Sequence, residues 1–528
     1  MKNYVKLFLV TAMAVMLVAL TACSSNNGGS DNAANATNSA DTADTANAGG
    51  EADAGDAANA PSDEPKPELK RLGIWQNEDY NTYPVAKMLE EKTGYKVKYD
   101  MLPQDKYAEK QNLIMSSGEP YDLVTTFSDM AIYSDYAQKG ALVDLLPLID
   151  KYGPNIKTAI SQQSMDALKV DGKLYAIPTA VTYEVNNSIL IRTDWLDKLG
   201  LQMPTTTDEL TAVLKAFKDK DPGGNGDQDV PLTIRGDLPM LDNIVGAFGM
   251  PNTWNDVDGQ LVPRVLDPAY KDYITYMSDL YKQGLLDKEF VVNKDATAKE
   301  KFSSGKAGAI IVHWADIPTI SDAITKSVPD AKFAFVPALK GPAGKAGFAA
   351  NAGFDRLTFI PKASKHPEDA IKWINASLDP ETFKDLAIGE EGKHYTEENG
   401  AYMPILPIFN DERNLANNYM AGTDETNYPI YWQARVHKSP VMFEAFDFLN
   451  NKQPAEVKIQ NKLGLAPYMP EYAKNNQQLE TMVGDYTIKL IAGAESLSGL
   501  EAFQAKYKAA GEEASAKEIN AWYATTTK

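Results

Sequence analysis

The chain contains 528 residues, of which 44% are apolar, and its formal net charge is -20. This length is enough to bury a large core and exceeds the usual size of one domain, so we expect two globular lobes. The negative charge argues against a nucleic-acid partner, and a single cysteine excludes internal disulfides and zinc sites built on several cysteines.

The N-terminal segment 1–22 has the architecture of a secretory signal. Lys2 and Lys6 precede an apolar run from residue 7 to residue 20, and Leu20-Thr21-Ala22-Cys23 ends the segment with small residues before the cysteine. The apolar run is too short to span a bilayer. The segment resembles a bacterial lipoprotein signal, which implies that Cys23 is acylated and becomes the first mature residue. The alternative is a plain signal peptide that contains a cysteine.

Residues 23–68 form a predicted disordered tether. They are rich in Ala, Asn, Asp, Gly, Ser and Thr and end in Pro61, Pro65 and Pro67. Without large apolar side chains, nothing offsets the entropy of ordering this segment. A flexible chain of this length reaches ~35–40 Å, taking ~5–6 Å times the square root of the residue number.

The folded part begins with a predicted strand–helix–strand unit. Residues 69–75 form a buried strand, Pro84 begins a helix that Gly94 ends, and residues 95–99 alternate as the next strand. This spacing predicts a parallel βαβ unit. A third strand is predicted at 121–126, followed by a helix that includes 133–142.

The following region continues as alternating strands and helices. Asp171-Gly172 predicts a tight turn before a strand at 173–177, and Thr206 with Glu209 predicts a capping box at the start of a helix. Pro367 begins another amphipathic helix, and the chain after about residue 428 is predicted to be largely helical.

Several motifs, taken in order, resemble the carbohydrate-binding extracellular solute-binding proteins of ABC importers. The longer Gram-positive lipoproteins and the alginate oligosaccharide-binding receptors are the most similar in spacing. The matching runs are Gly73-Ile74-Trp75, Gly118-Glu119-Pro120-Tyr121-Asp122, Asp171-Gly172-Lys173-Leu174-Tyr175-Ala176-Ile177-Pro178, and Phe302-Ser303-Ser304-Gly305-Lys306-Ala307.

The resemblance implies an α/β, periplasmic-binding-protein-like fold, with two α/β lobes around a cleft and hinge strands between them. Lobe one would comprise 69–181 and 347–425, and lobe two 182–346 and 426–528. It also implies a monomer on the extracytoplasmic face of the cell membrane, held by a lipid anchor, which captures an oligosaccharide and delivers it to the transmembrane subunits of an ABC permease. Neither catalytic residues nor a catalytic cofactor is expected.

The loop 221–229 is a candidate for a structural calcium site. Its candidate ligands are Asp221, Asn225, Asp227 and Asp229, and Gly226 occupies the position that needs a sharp turn. Gly223 replaces a usual side-chain ligand. The alternative is an acidic, Gly-rich surface turn.

Sugar binding requires aromatic faces for C–H surfaces and fixed polar groups for hydroxyls. Candidates lie after predicted strands, where open α/β sheets bind ligands, and at interlobe positions. They are Trp75, Asn77, Glu78, Tyr80, Asp129, Tyr183, Glu184, Trp254, Trp314, Asp355 and Arg356. For any single aromatic residue among them, core packing is the alternative.

Two other functions remain open at this point. A surface-anchored glycoside hydrolase or polysaccharide lyase would need two carboxylates across a cleft, and no motif indicates such a pair. An adhesion or peptidoglycan-interaction module is expected to show internal repeats, which the sequence lacks.

Overall fold

A computed structural model describes residues 65–526 apart from 75, 77, 104–105, 227–228, 237–239 and 241–242. The chain divides into two units, Met1–Glu64 and Pro65–Lys528. The predicted signal segment, Cys23 and most of the predicted tether therefore lie outside the described residues. Within the described part, no helix combines the length and apolarity needed to cross a membrane.

The strands are β1 (Leu69–Ile74), β2 (Val97–Leu102), β3 (Leu123–Phe127), β4 (Lys169–Val170), β5 (Lys173–Leu174), β6 (Ala176–Ala180), β7 (Asn187–Arg192), β8 (Trp254–Val257), β9 (Gln260–Pro263), β10 (Ala309–His313), β11 (Phe333–Phe335), β12 (Phe348–Ala350), β13 (Phe354–Phe359), β14 (Tyr395–Glu398), β15 (Ala401–Pro404) and β16 (Lys458–Gln460).

The α-helices are α1 (Pro84–Thr93), α2 (Tyr107–Ser117), α3 (Met130–Gln138), α4 (Leu146–Tyr152), α5 (Pro154–Ala159), α6 (Gln162–Ala167), α7 (Thr193–Leu199), α8 (Thr207–Lys220), α9 (Asn243–Ala247), α10 (Tyr270–Lys282), α11 (Asp295–Ser303), α12 (Ile317–Ser327), α13 (Pro367–Ser377), α14 (Pro380–Ile388), α15 (Ile408–Arg413), α16 (Tyr428–Val436), α17 (Pro440–Asn450), α18 (Pro470–Ile491), α19 (Leu500–Tyr507) and α20 (Glu513–Thr526). Short 3-10 turns lie at Arg264–Leu266, Phe290–Val292, Trp314–Asp316, Ala416–Tyr419, Ala455–Val457, Lys462–Leu465 and Leu497–Gly499, and a π-helical turn at Lys508–Glu512.

The first sheet has the strand order β2-β1-β3-β13-β6. β1 pairs in parallel with β2 and β3, which confirms the predicted βαβ unit, whereas β13 runs antiparallel to both β3 and β6. The predicted strand at 173–177 is divided in two. Its first half, β5, forms a hairpin with β4, and the rest joins the large sheet as β6.

Local signals determine several of these boundaries. Pro84 occupies the first turn of α1, and Gly94 ends that helix with φ 70°. The β4–β5 hairpin turns at Asp171 and Gly172, whose φ angles of 51° and 77° are those of a type I′ turn. The capping box predicted for α8 is present. The hydroxyl of Thr206 accepts from the backbone N–H of Glu209, and the Glu209 carboxylate accepts from the backbone N–H of Thr206.

The second sheet is antiparallel, with the order β10-β7-β11. Helices α8, α10 and α18 bury apolar side chains in the same core as β7 of this sheet. The chain after α16 is largely helical, as predicted. The fold is thus two-lobed and mixed α/β.

The lobes have separate hydrophobic cores. The first core draws its buried residues from 69–177 and 357–434, and the main cores of the second lobe draw theirs from 185–348 and 436–507. Helix α16 lies at the border, since Tyr428 and Ala434 pack in the first core and Val436 in the second lobe. The chain therefore passes between the cores near 181–186, 351–353 and 434–436.

Candidate functional site

A cavity of about 710 Å³ lies at one edge of the first sheet, beside the ends of the neighbouring strands β3, β13 and β6. β3 ends there with Phe127, and β13, running the opposite way, begins there. Arg356 on β13 stands opposite Phe127 of β3 and Thr179 of β6 in the ladder. The antiparallel insertion of β13 therefore places residues from all three strands side by side at the cavity.

The remaining walls come from the crossovers and from α16. Tyr183 and Asn186 lie on the connection between β6 and β7, and Asn351 lies between β12 and β13. Tyr428 and Trp432 are four residues apart on α16, a spacing that places both side chains on one helix face. Residues of the first sheet, of the crossover segments and of α16 therefore border the cavity.

Aromatic rings form one wall of the cavity. The ring centroids of Tyr183 and Trp432 are 5.2 Å apart. Trp314 packs behind them, edge-on to Tyr183 at 5.4 Å and to Trp432 at 5.5 Å, and Phe446 contacts both tryptophans. This packing fixes the orientation of the two rings that line the cavity.

The charged groups of the cavity have partners within the protein. A register shift between Phe354 and Arg356 leaves Asp355 at an irregularity of β13, where its side chain is exposed. Asp355 Oδ2 lies 3.2 Å from Nε of Arg356, whose Nη1 donates to the Asn417 carbonyl at 3.2 Å and to Asn418 Oδ1 at 2.9 Å. Asp129 caps α3, accepting from two backbone N–H groups at 3.1 Å.

Several neutral polar groups remain available to a ligand. The hydroxyl oxygen of Thr179 is buried and has no hydrogen-bond partner among the described residues. Burial raises the pKa of Tyr428 to about 12. The pKa of Tyr183 is also raised, mainly by burial and to a smaller extent by the negative charge of Asp355. Both phenols are therefore neutral and can donate. Rigid aromatic faces beside neutral donors and acceptors suit a ligand that presents both C–H surface and hydroxyl groups.

Four of the residues predicted as ligand-binding line this cavity, namely Asp129, Tyr183, Asp355 and Arg356. Trp314 lies behind the aromatic wall, and its side chain is almost fully buried. Trp75 and Asn77 lie outside the described residues.

The other candidates lie elsewhere. Tyr80 is buried in the first core and its hydroxyl accepts from Asn418 Nδ2 at 2.8 Å. Glu184 forms an ion pair with Lys458, and Glu78 is exposed outside the residues that line the cavity. Trp254 lies on β8 and borders a second cavity.

Other lining residues were not predicted from the sequence. They are chiefly Thr179, Asn351, Tyr428 and Trp432. The i, i+4 pair of Tyr428 and Trp432 was the signal available, but on a helix the same spacing also indicates core packing.

The loop 221–229 brings three of the four predicted metal ligands together. Asp229 accepts from Asn225 Nδ2 at 2.7 Å and from the backbone N–H of Gly223 at 3.2 Å, while Asp221 accepts from the N–H of Gly226 at 3.1 Å. Burial and the adjacent carboxyl of Asp221 raise the pKa of Asp229. Asp227 lies outside the described residues, and within them no cluster of three or more His, Cys, Asp or Glu side chains could hold a metal.

Comparison with known families identifies the chain. Residues 75–382 match the model of the bacterial extracellular solute-binding protein family. The chain belongs to this family. Among related solute-binding proteins and lipoproteins, lipoprotein LipO of Bacillus subtilis is 27% identical over 458 residues, which are 83% of this chain and 88% of LipO.

A second relative is FusA of Streptococcus pneumoniae, named as a fructooligosaccharide ABC transporter substrate-binding protein. It is 31% identical over 329 residues, which are 57% of this chain and 59% of FusA. The structure of FusA with kestose has a TM-score of 0.66, with 22% identity over 87% of this chain and 99% of FusA. Alginate-binding protein AlgQ2 without calcium also has a TM-score of 0.66, with 21% identity over 88% of this chain and 98% of AlgQ2. These structural likenesses show a shared two-lobed fold.

Proposed function

We propose that this solute-binding protein is a lipid-anchored receptor that captures an oligosaccharide in the cavity beside Tyr183 and Trp432. The main support is the wall itself, where two oriented aromatic rings adjoin the unpartnered hydroxyl of Thr179 and neutral tyrosine phenols. Sugar rings have apolar C–H faces that stack on aromatic rings and hydroxyls that pair with such groups.

The volume of the cavity agrees with this role. About 710 Å³ falls within the range of roughly 300–1,000 Å³ that small-molecule sites occupy. FusA, a relative of similar fold, is named for fructooligosaccharides, and one of its structures contains kestose. Binding of this kind needs no catalytic residue, and both cavity carboxylates already have structural partners in Arg356 and the N-terminus of α3.

The test is a binding experiment that also detects catalysis. Full-length protein is titrated with neutral and acidic oligosaccharides while tryptophan fluorescence is recorded and the sugars are analysed by chromatography. We expect saturable fluorescence changes, because Trp432 lines the cavity, with every oligosaccharide recovered intact. Turnover of a bound sugar would contradict the receptor and indicate a hydrolase or lyase.

We further propose that Cys23 holds the lipid anchor and that a membrane permease receives the ligand. The name of LipO, the family and the small residues before Cys23 support this placement. In a Gram-positive host, a Cys23→Ser variant should move from the membrane fraction to the culture medium. Retention of that variant in the membrane fraction would contradict the anchor.

We also propose that the loop 221–229 binds a structural calcium ion through Asp221, Asn225, Asp227 and Asp229. The raised pKa of Asp229 supports this, since a divalent cation would relieve the repulsion between its carboxylate and that of Asp221. Related proteins point the same way, since AlgQ2 has a structure described as being without calcium ion and FusA has an EF-hand mutant.

Calcium at about 100 times its Kd should stabilise the fold by about 2.7 kcal/mol, which appears as a higher melting temperature. Asp229→Asn should abolish this shift, whereas Asp219→Asn, on the exposed surface of α8, should retain it. An equal calcium response in both variants would exclude the loop as the site.

A further inference from the structure

A second cavity of about 360 Å³ lies in the second lobe, between β8, β9 and helix α18. Its walls include Trp254, Arg264, Leu479, Val483 and Tyr507. Leu479 and Val483 are four residues apart on α18, so the helix presents one apolar face to the cavity. Apart from Asn351, the residues that line the first cavity do not line this second one.

The two cavities are neighbours, and Asn351 lines both of them. A smaller cavity of about 110 Å³ shares Asn186 and Asn351 with the first cavity, and shares Met240, Arg264 and Asn351 with the second. Asn351 Nδ2 donates to Asn186 Oδ1 at 2.7 Å, which fixes the side chain at this junction. The three spaces therefore lie side by side, in a row from the aromatic wall beside Trp432 to α18, and this row is called the groove below.

The lining of the second cavity is more apolar than that of the first, and it also combines aromatic and amide side chains. Trp254 is held edge-on to Tyr472 at 6.2 Å, and the ring of Tyr507 lies 6.3 Å from that of Phe503. Both Trp254 and Tyr507 are largely buried, so they present only part of their rings to the cavity. Asn461 and Asn476 add amide groups. Aromatic edges, aliphatic side chains and neutral amides together suit a sugar ring.

The charges along the groove favour a neutral sugar. Arg356 is bound by Asp355, Asn417 and Asn418, and Arg264 donates to the backbone carbonyls of Met250, Met240 and Pro251. Asp129, Asp355 and Glu480 contribute negative charge. A ligand with many carboxylates would therefore meet negative charges and guanidinium groups that are already engaged.

We propose that the second cavity is a distal subsite that binds neutral sugar units of an oligosaccharide whose other end fills the first cavity. This inference rests on the proposed function of the first cavity. It predicts that affinity increases with chain length until the ligand reaches α18.

Gly484 provides a variant that tests this subsite alone. Gly484 lies on α18 and lines the second cavity, and a Cβ at this position would meet nothing within 4 Å. Gly484→Trp should therefore place its side chain in the cavity without a backbone clash, and replacing glycine inside a helix favours folding. Gly484→Ala is the matched control, because it adds the Cβ but leaves the cavity open.

The experiment measures the affinity of full-length protein for each member of oligosaccharide ladders. Neutral ladders are prepared from inulin, arabinan and mannan, and an acidic ladder from polygalacturonan. We expect Gly484→Trp to lose about tenfold in affinity for the longest bound neutral chains, which corresponds to about 1.4 kcal/mol, and to bind the shortest chains normally. The wild type and Gly484→Ala should share the same dependence on length.

Three results would overturn the inference. The same length dependence in Gly484→Trp and wild type would remove the distal subsite while leaving the receptor function intact. Exclusive binding of the acidic ladder would refute the neutral ligand class. If the wild type bound no ladder at all, the proposed function itself would fail, and the distal subsite with it.

Discussion

Thr179 shows how one side chain can lower stability and favour binding. Its hydroxyl is buried beside the cavity without a partner among the described residues, and a buried unsatisfied polar atom costs about 1–3 kcal/mol. The residue lines the cavity, so a small shift of its side chain would let a ligand hydroxyl satisfy this group. The position therefore has a cost in the free protein that ligand binding removes.

Thr179→Val should raise the free energy of unfolding by about 1 kcal/mol and weaken binding of the captured oligosaccharide. Urea denaturation measures the first effect and calorimetric titration the second. Thr358→Val is the control, because the Thr358 hydroxyl is buried on the same sheet and bonds to the Thr125 hydroxyl at 3.0 Å. This control should lose stability and keep its affinity. A destabilised Thr179→Val variant with unchanged affinity would show that the hydroxyl has no role in binding.

At the residue scale, the sequence predicts some of the residues that line the first cavity and misses others. Asp129 follows the predicted third strand, so strand prediction brings it to the sheet edge where the cavity lies. Asp355 was placed at the cleft only by the resemblance to solute-binding proteins. The role of Tyr428 and Trp432 could not be predicted, because the same helical spacing is also typical of core packing. Only the tertiary fold shows which face of the helix lines the cavity. Trp254, a candidate for ligand binding, is the first residue of β8 and borders the second cavity instead of the first.

At the scale of elements, local chemistry determines the ends of helices and turns. Pro84, Gly94 and the Asp171-Gly172 pair act through their own backbone preferences, and their positions were predictable. The division of the predicted strand at 173–177 was not, because it depends on two different pairing partners, β4 and β13. Pairing between distant segments cannot be read from residue preferences.

The capping box of α8 should contribute measurably to stability. Thr206→Ala removes the acceptor for the Glu209 N–H, and such a loss costs about 1 kcal/mol. Urea denaturation of the unit 65–528 measures the change. Thr275→Ala on the exposed surface of α10 is the control, since that hydroxyl bonds only to a carbonyl of its own helix. Equal midpoints for Thr206→Ala and Thr275→Ala would contradict a stabilising cap.

His313 should make the second lobe sensitive to acid. Its Nδ1 accepts from the Ala315 N–H at 3.0 Å, which requires the neutral ring, and burial lowers its pKa despite the nearby Asp316. The unfolded chain therefore takes up a proton first as the pH falls below about 6.5, so stability decreases from there toward the lower folded pKa.

His313→Asn keeps a capping acceptor and removes the titration. Melting temperatures measured between about pH 7.5 and pH 5.5 should fall further in the wild type than in this variant. Parallel pH profiles for the two proteins would show that His313 does not contribute to the acid response.

At the scale of the whole molecule, separate cores and few crossovers favour rigid lobes that move relative to one another. The first core and the cores of the second lobe share few elements, and the chain passes between them near 181–186, 351–353 and 434–436. Tyr183, Asn186 and Asn351 lie on these crossovers and also line the cavity. A ligand that contacts the crossovers and both lobes would therefore favour an arrangement in which the lobes are closer.

Saturating oligosaccharide should then reduce the radius of gyration of the unit 65–528, as measured by small-angle X-ray scattering. Closure brings Trp432 and the strand ends of the first lobe toward the same ligand, so the loss of size should follow the binding curve. Trp432→Ala, which removes one of the two rings of the aromatic wall, should need more ligand to reach the same compact state. A ligand-saturated protein with an unchanged radius of gyration would mean that the groove binds sugar without lobe closure. Delivery to a permease would then have to depend on contacts with the bound sugar instead of on the shape of the receptor.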